Sequence, residues 1–165
     1  MKSFFRGGKI MLKVVKPELE DLWFRESMMA DIETMSYNDA WGGTIPFPKE
    51  DWEEWYTLWV RNSGQERYYR YLKDDANKVF VGEISYHFDK LRNIYLCDVI
   101  IKAEFRRQGF GTQGIQLLCE TAKANGVKAL YDDIAADNPS THLFLKNGFS
   151  IEFQNDEIVM VKTVL

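Results

Sequence analysis

Cysteine, histidine and long apolar runs are all scarce in this sequence, and each scarcity excludes a class of protein. The two cysteines, Cys97 and Cys119, lack Cys-x-x-Cys spacing and lie within apolar patterns, so neither a disulfide framework nor a thiolate metal site is expected. The two histidines, His87 and His142, also lack ligand spacing, and no metal site is predicted. No apolar run approaches the roughly 18 residues of a membrane span, so no membrane partner is expected.

Basic residues are also fewer than acidic ones. The 165 residues carry 21 Lys and Arg against 25 Asp and Glu, a formal net charge of −4, which leaves no overall basic field to hold nucleic acid. A composition of 45% hydrophobic and 28% charged residues is typical of a folded globular protein. We expect a cytoplasmic protein whose residues 11–165 form a single domain and whose residues 1–10 are a non-native or flexible N-terminal extension.

Hydrophobic periodicity predicts the element order β-α-α-β-β-β-α-β-α-β-β, an α+β fold with helices on a largely antiparallel sheet. The first helix is expected over 17–34. Strand-like stretches over 66–73, 78–88 and 93–101 are separated by turn residues and predict an antiparallel meander. The strands over 93–101 and 128–134 are joined through a helix, so they must run parallel if they share the sheet.

The most specific stretch is a glycine-rich turn. Gly109, Gly111 and Gly114 spell G-x-G-x-x-G, the dinucleotide fingerprint, but the polar segment KAEFRRQ separates the preceding strand from Gly109, and too few residues follow for a doubly wound sheet. The alternative unit is Arg106-x-x-Gly109-x-Gly111. Its glycines allow close backbone approach, and amides at a helix start bind anions, so a diphosphate fits there.

The run from Val99 to Gly114 resembles the acetyl-CoA signature of the GNAT superfamily of N-acetyltransferases, written R/Q-x-x-G-x-G/A. The segment from Asn138 to Phe149 resembles the family's later motif, an asparagine, a short helix and a closing glycine-phenylalanine. The resemblance covers nearly the whole of residues 11–165. It implies the family's fold, a mixed and mostly antiparallel twisted sheet with a central, splayed parallel strand pair and about four flanking helices.

The resemblance also implies acetyl-CoA as the donor cofactor. Backbone amides over 107–112 should bind its pyrophosphate, the strand backbone over 99–101 should pair with its pantetheine arm, and Asn138 should hold that arm from the neighbouring strand. The implied cofactor-binding residues are Val99, Ile100, Ile101, Arg106, Arg107, Gln108, Gly109, Phe110, Gly111, Thr112 and Asn138.

Amine acetylation needs a group that takes a proton from an ammonium, and the family typically uses an acid on the central strands. Alternation places Glu83 and His87 on one face of the strand over 78–88. Asp98 lies inside the apolar run YLCDVII, where burial would raise its pKa. The catalytic candidates are therefore Asp98, Glu83 and His87.

Phe144 stands where members of the family commonly carry a tyrosine, the general acid for the leaving thiolate. Phe144 has no such proton, so another group, water or nothing protonates that thiolate. Two functions stay open at this point. One is an N-acetyltransferase in which a primary amine attacks acetyl-CoA directly, and the other is a catalytically degenerate CoA-binding sensor or interaction module on the same fold.

In the family, the region that corresponds to the loop over 38–48 covers the acceptor end of the cofactor cleft. Trp41 and Phe47 are the expected apolar wall of a substrate site, and Asp39 with the acidic run over 50–54 could attract a cationic amine. Alternatively, the acids cap a helix start and the aromatic residues belong to the core. The partner is expected to be an amine-bearing small molecule or peptide, and the sequence is compatible with a homodimer.

Overall fold

A seven-stranded mixed sheet, in the order β1-β2-β3-β4-β5-β7-β6, forms the centre of the molecule. The structure is a computed structural model that describes residues 12–64 and 66–165, so the expected extension over 1–10 lies outside the described residues. The strands are Leu12–Val15 (β1), Arg67–Asp74 (β2), Val79–Asp89 (β3), Ile94–Ile101 (β4), Ala129–Ala135 (β5), Ser150–Gln154 (β6) and Ile158–Val164 (β7). The α+β fold class and the order of strands and helices are confirmed.

The helices are Leu22–Ala30 (α1), Trp52–Tyr56 (α2), Phe110–Ala124 (α3) and Ser140–Lys146 (α4). α2 continues as a π-helical turn over Thr57–Arg61, and α3 and α4 are each followed two residues later by a glycine with positive φ, Gly126 and Gly148. Across the described ranges, no helix is long and apolar enough to cross a bilayer.

The first helix is shorter than predicted. It begins as a 3-10 turn over Leu19–Asp21 and ends at Ala30, because Asp31 takes an extended backbone conformation and its carboxylate accepts a hydrogen bond from the Thr34 N–H at 3.2 Å. A separate 3-10 stretch then covers Thr34–Trp41. The loop predicted over 38–48 therefore begins within a helical segment.

The sheet separates two hydrophobic clusters. Side chains of β3 alternate between them: Ile84 and Tyr86 pack in the cluster under α3 and α4, while Glu83, Ser85 and His87 face the side of α1 and α2. The second cluster is strongly aromatic: Trp52 and Tyr56 of α2 are buried in it, and Trp55 and Trp59 pack against it. These two faces position different halves of the functional site.

β4 and β5 run parallel, as predicted, but their backbones pair at very few positions. Within the described residues a single pair, Leu96 and Tyr131, bridges them, whereas β3 pairs with β4 continuously from Gly82 and Ile101 to Asp89 and Ile94. Beyond Leu96 and Tyr131 the two strands separate towards their carboxyl ends. This splay opens the sheet at its centre.

Candidate active site

The splay between β4 and β5 opens into a cleft of about 1250 Å³. Its walls come from β3, β4 and β5, from the first residues of α3 and α4, and from the segment over 34–41. The predicted residues that line it are Trp41, Glu83, His87, Asp98, Val99, Ile100, Ile101, Arg106, Arg107, Gly109, Phe110, Gly111, Thr112 and Asn138. The predicted residues Gln108 and Phe47, both described, do not line it.

The three glycines of the turn have three different structural roles. Gly109 has φ +85°, in the left-handed region, and precedes the first residue of α3. A Cβ on Gly111 would lie 2.8 Å from Leu143 Cδ2, so its absence lets α4 approach α3. A Cβ on Gly114 would lie 3.0 Å from side chains of both β2 and β4. The third glycine thus permits close packing of the helix on the sheet.

The start of α3 presents backbone amides to the cleft. The Gln113 N–H donates to the Gly109 carbonyl at 3.3 Å, and the amides of Phe110, Gly111 and Thr112 precede this first helical hydrogen bond. The helix dipole adds partial positive charge at the same place. Arg107, also in the left-handed region at φ +61°, is exposed beside these amides. This end of the cleft is suited to an anion such as a diphosphate.

Arg106 has a different role from that of Arg107. Its guanidinium donates to the carbonyls of Ile101 at 3.3 Å, Glu33 at 3.2 Å and Thr34 at 2.8 Å. The Ala103 N–H adds a hydrogen bond to the Thr34 hydroxyl at 2.9 Å. Arg106 therefore ties the turn before α3 to the segment over 34–41, and its donors are engaged by backbone carbonyls.

The opposite wall of the cleft is formed where β5 leads into α4. The Asn138 side-chain oxygen accepts a hydrogen bond from the Ser140 N–H at 2.9 Å, which fixes the first turn of α4. Phe144 also lines the cleft but is only 4% exposed, and its ring packs edge-on against Phe149 with the centroids 5.0 Å apart. Phe144 is thus well packed and brings no ionisable group to the cleft.

Glu83 is engaged in a buried ion pair. Arg25 Nη1 lies 2.7 Å and 2.8 Å from its two carboxylate oxygens, and the Tyr69 hydroxyl donates to the same carboxylate. Burial acts to lower the pKa of Arg25, but the charges and hydrogen bonds of Glu83 and Tyr69 together outweigh this effect and raise it. The guanidinium also lies 4.5 Å from the centre of the Trp55 ring. With its charge balanced in this way, Glu83 is poorly placed to act as a free base.

Asp98 faces the same side of the sheet as Glu83 and opens into the cleft. Its side chain surface is accessible from the cleft. The carboxyl nevertheless lies deep in the molecule, where protein replaces most of the surrounding water. This burial, followed by the charge of Glu83, raises the pKa of the Asp98 carboxyl to about 7, against a partial opposing effect of Arg25. A carboxyl with such a pKa can take up and release a proton near neutral pH.

His87 lies at the edge of this face, with its ring edge-on to Trp59 at 5.8 Å between centroids. Burial, and then the charge of Arg67, lowers its pKa below the ordinary value, so the imidazole is neutral at pH 7. Within residues 12–64 and 66–165, no three His, Cys, Asp or Glu side chains are grouped so as to hold a metal ion.

The two predicted substrate residues lie in different environments. Trp41 is 51% exposed and lines the cleft, in the position expected for an apolar wall. Phe47 is 8% exposed and packs between Trp52 and Trp55 beside Arg25. It supports the aromatic cluster beneath the cleft, because its ring is covered by that cluster.

Two cleft residues were missed by the sequence analysis. Tyr37 lies on the 3-10 segment, where burial and the charges of Asp98 and Glu83 raise the pKa of its hydroxyl and keep it protonated. Asp132 lies on β5, where burial and the charge of Asp98 raise the pKa of its carboxyl well above the usual range. The sequence signal for Asp132, an acid within an apolar strand, is the same as the signal for Asp98.

Solved structures with the same fold include several acetyltransferases. A spermidine N-acetyltransferase from Vibrio cholerae, in complex with CoA and spermine, has a TM-score of 0.77 at 20% identity over 94% of this chain and 96% of that chain. An acetyltransferase of the GNAT family from Bacillus anthracis has a TM-score of 0.72 at 16% identity over 93% of this chain and 95% of that chain. At these identities the likeness concerns the fold.

The sequence itself gives the family. A family model of the acetyltransferase (GNAT) family matches residues 26–149, more than half of the chain, and this range contains the glycine-rich turn, the splayed strand pair and α4. The predicted resemblance is thereby confirmed, and the chain belongs to the GNAT family of acetyltransferases.

Proposed function

We propose that this protein transfers the acetyl group of acetyl-CoA, the acetyl donor of its family, to a primary amine that attacks the thioester directly. The observation that carries the proposal is the continuity of one cleft. It joins the amides at the start of α3, which suit a diphosphate, to Asp98, whose pKa is raised to about 7. A binding site for the donor and a base for the acceptor would thus lie in the same opening of the sheet.

The residues of the cleft fit the cofactor. The amides of Phe110, Gly111 and Thr112 would hold the pyrophosphate, and Arg107 would add charge beside them. The edge of β4 beyond Leu96 has no partner on β5 in the described structure, so its backbone groups are free to pair with the pantetheine arm. When bound, acetyl-CoA supplies an acyl group activated as a thioester.

Asp98 would act on the acceptor. Its carboxylate takes a proton from the ammonium, so the nitrogen presents a lone pair to the thioester carbonyl. A new C–N bond then forms as the C–S bond breaks. The fixed position of Asp98 on β4 holds the acceptor against the carbonyl and thereby lowers the entropic cost of the encounter.

The charge and shape of the acceptor end favour a cationic amine. Asp98 faces the cleft together with the aromatic side chains of Tyr37, Trp41 and Trp59, which offer apolar and cation–π contacts. Glu83 is balanced by Arg25, so the charge felt by an acceptor comes from the other carboxylates. Because one protein of the same fold was solved with spermine, polyamines belong among the amines to be tested.

A screen of amines for thiol release tests the proposal. The protein, acetyl-CoA and a thiol reagent are combined with polyamines, small monoamines, aminoglycosides, lysine and peptides. Release of thiol with one class supports transfer to that class. Phe144 favours the alternative of a CoA-binding module without catalysis, and binding of CoA by calorimetry without turnover on any amine would support that alternative.

Substitution of Gly111 tests whether the first amides of α3 bind the cofactor. We expect Gly111→Val to raise the acetyl-CoA Kd by tenfold or more, about 1.4 kcal/mol, because a branched side chain at the first amides of α3 obstructs an approaching diphosphate and displaces Leu143. Calorimetry gives the Kd. Gly64→Val is the matched control, since a Cβ at Gly64 meets nothing within 4 Å. An unchanged Kd for Gly111→Val would exclude this site.

Substitution of Asp98 tests whether its carboxylate is the general base. Asp98→Asn should lower kcat/KM by about 10² to 10⁴, the usual effect of losing a general base. The base must be deprotonated, so wild-type kcat/KM should rise as the pH increases through about 7, the pKa of Asp98, and the variant should lose this acidic limb. If the limb survives in Asp98→Asn, His87 and Glu83 become the candidates.

Substitution of Phe144 tests whether catalysis needs a tyrosine hydroxyl at this position in α4. We expect Phe144→Leu to cost roughly 1 kcal/mol of stability, measured by denaturation, and to change kcat by less than about tenfold, because the ring packs against Phe149. Phe144→Tyr should change kcat only modestly. A rise of about a hundredfold or more on a good acceptor would show that the wild-type protein lacks a required acid.

A further inference from the structure

The direction in which Asp132 points is fixed by the alternation of β5. Leu130 and Ile134, two residues to either side, are buried in the same hydrophobic cluster as Phe144, on the side of α3 and α4. The register partner of Asp132 on β7 is Val161, which is fully buried in that cluster. Asp132 therefore directs its carboxyl towards the face of the sheet on which Phe144 lies, and it lines the cleft there.

Asp98 points to the opposite face. It is the register partner of Ser85, on the side of α1 and α2. Both carboxyls come just after the last bridging pair, Leu96 and Tyr131, where the strands begin to separate. One acid thus lies on each side of the opening, and the reacting end of a donor held between the strands would lie between Asp98 and Asp132.

Asp132 has no cationic partner among the ion pairs of the described residues. Its neighbour Asp133 is bound to Arg92 at 2.7 Å, on the other face. The titratable groups near the Asp132 carboxyl are Cys97 and Asp98 of β4, Asp133 beside it, and Tyr37 across the cleft.

The hydrophobic cluster on this face adds Ile115 of α3, Phe144 of α4 and Val161 of β7, none of which titrates. Burial, followed by the negative charges of Asp98 and Asp133, raises the pKa of Asp132 well above its usual range and so favours the protonated carboxyl.

We propose that Asp132 is the proton donor to the leaving thiolate, in place of the hydroxyl that Phe144 lacks. This role rests on the proposed function. As the C–S bond breaks, its electron pair passes to sulfur, and the Asp132 proton moves to that sulfur to give the free thiol. A thiol pKa of about 8.5, the cysteine reference, means that a carboxyl can make this transfer without a large energetic penalty.

The protons balance over one turnover. The acceptor nitrogen loses two protons: the first passes to Asp98 before attack, and the second is lost as the amide forms. One of them leaves to solvent and the other restores the proton on Asp132. The products are the acetylated amine, the thiol and one proton, and both carboxyls return to their starting states.

A paired role of this kind predicts a bell-shaped pH profile. Activity requires Asp98 deprotonated and Asp132 protonated, so it should rise through the lower apparent pKa of the pair and fall through the higher one. The two values belong to the coupled pair and not to either residue alone.

Asp132→Asn is the direct test. The neutral amide has nearly the shape of a protonated carboxyl, so folding and acetyl-CoA affinity should be preserved, but it cannot give up a proton. We expect kcat to fall by about 10²-fold and the basic limb of the kcat profile to be lost. Asp156→Asn is the matched control, because it makes the same change in an exposed turn between β6 and β7 outside the cleft, and it should keep kcat within about twofold.

A rescue variant separates proton donation from a structural role. If Asp132 supplies the proton, then adding Phe144→Tyr to Asp132→Asn should recover kcat by about tenfold or more, because a hydroxyl then faces the same region. In the wild-type protein, the carboxyl ¹³C resonance that disappears in Asp132→Asn should titrate well above the range of an ordinary aspartate. A resonance that is already ionised at neutral pH overturns the proposal.

Three further results would overturn the role of Asp132 as proton donor. Full activity with an intact basic limb in Asp132→Asn overturns the donor role alone, as does loss of that limb in Tyr37→Phe with Asp132→Asn unaffected. Wild-type protein that binds acetyl-CoA but releases no thiol with any amine overturns the donor role together with the proposed function.

Discussion

The separation of β4 from β5 after Leu96 and Tyr131 is the constraint on which the rest of the structure depends. Each strand is held firmly on its other side, β4 by a continuous register with β3 and β5 by one with β7. The opening therefore lies between two well-paired halves of the sheet. Unpaired backbone groups in the middle of a sheet are costly unless a ligand or water satisfies them, so this edge is suited to a ligand with an extended arm.

Much of this architecture could be predicted because its signals are local. Periodicity of two or 3.6 residues predicted most of the strands and helices, and the helix between β4 and β5 meant that these strands run parallel if they share the sheet. The glycine-rich turn was recognisable because backbone amides at a helix start need residues without side chains at Gly109 and Gly111. Asp98 was identified as a carboxylate within an apolar strand, a pattern that implies an unusual environment before any contact is known.

The features that escaped prediction depend on contacts between distant residues. The partner of Glu83 is Arg25, 58 residues away, and Arg106 binds carbonyls 72 and 73 residues away. Neither pairing leaves a trace in local composition. The difference between Asp132 and Asp133 is equally invisible, since both occupy the same apolar stretch, and only the register of β5 against β7 shows which one faces Phe144.

Arg106 also links the turn before α3, at one end of the cleft, to the segment over 34–41 at the other end. One guanidinium holds the turn before α3 against the carbonyls of Glu33 and Thr34, where the segment that carries Tyr37 and Trp41 begins. A displacement of the turn would therefore pull on that segment through the same guanidinium. If ligands at the two ends are coupled in this way, linkage makes the coupling reciprocal, and each would change the affinity of the other by the same factor.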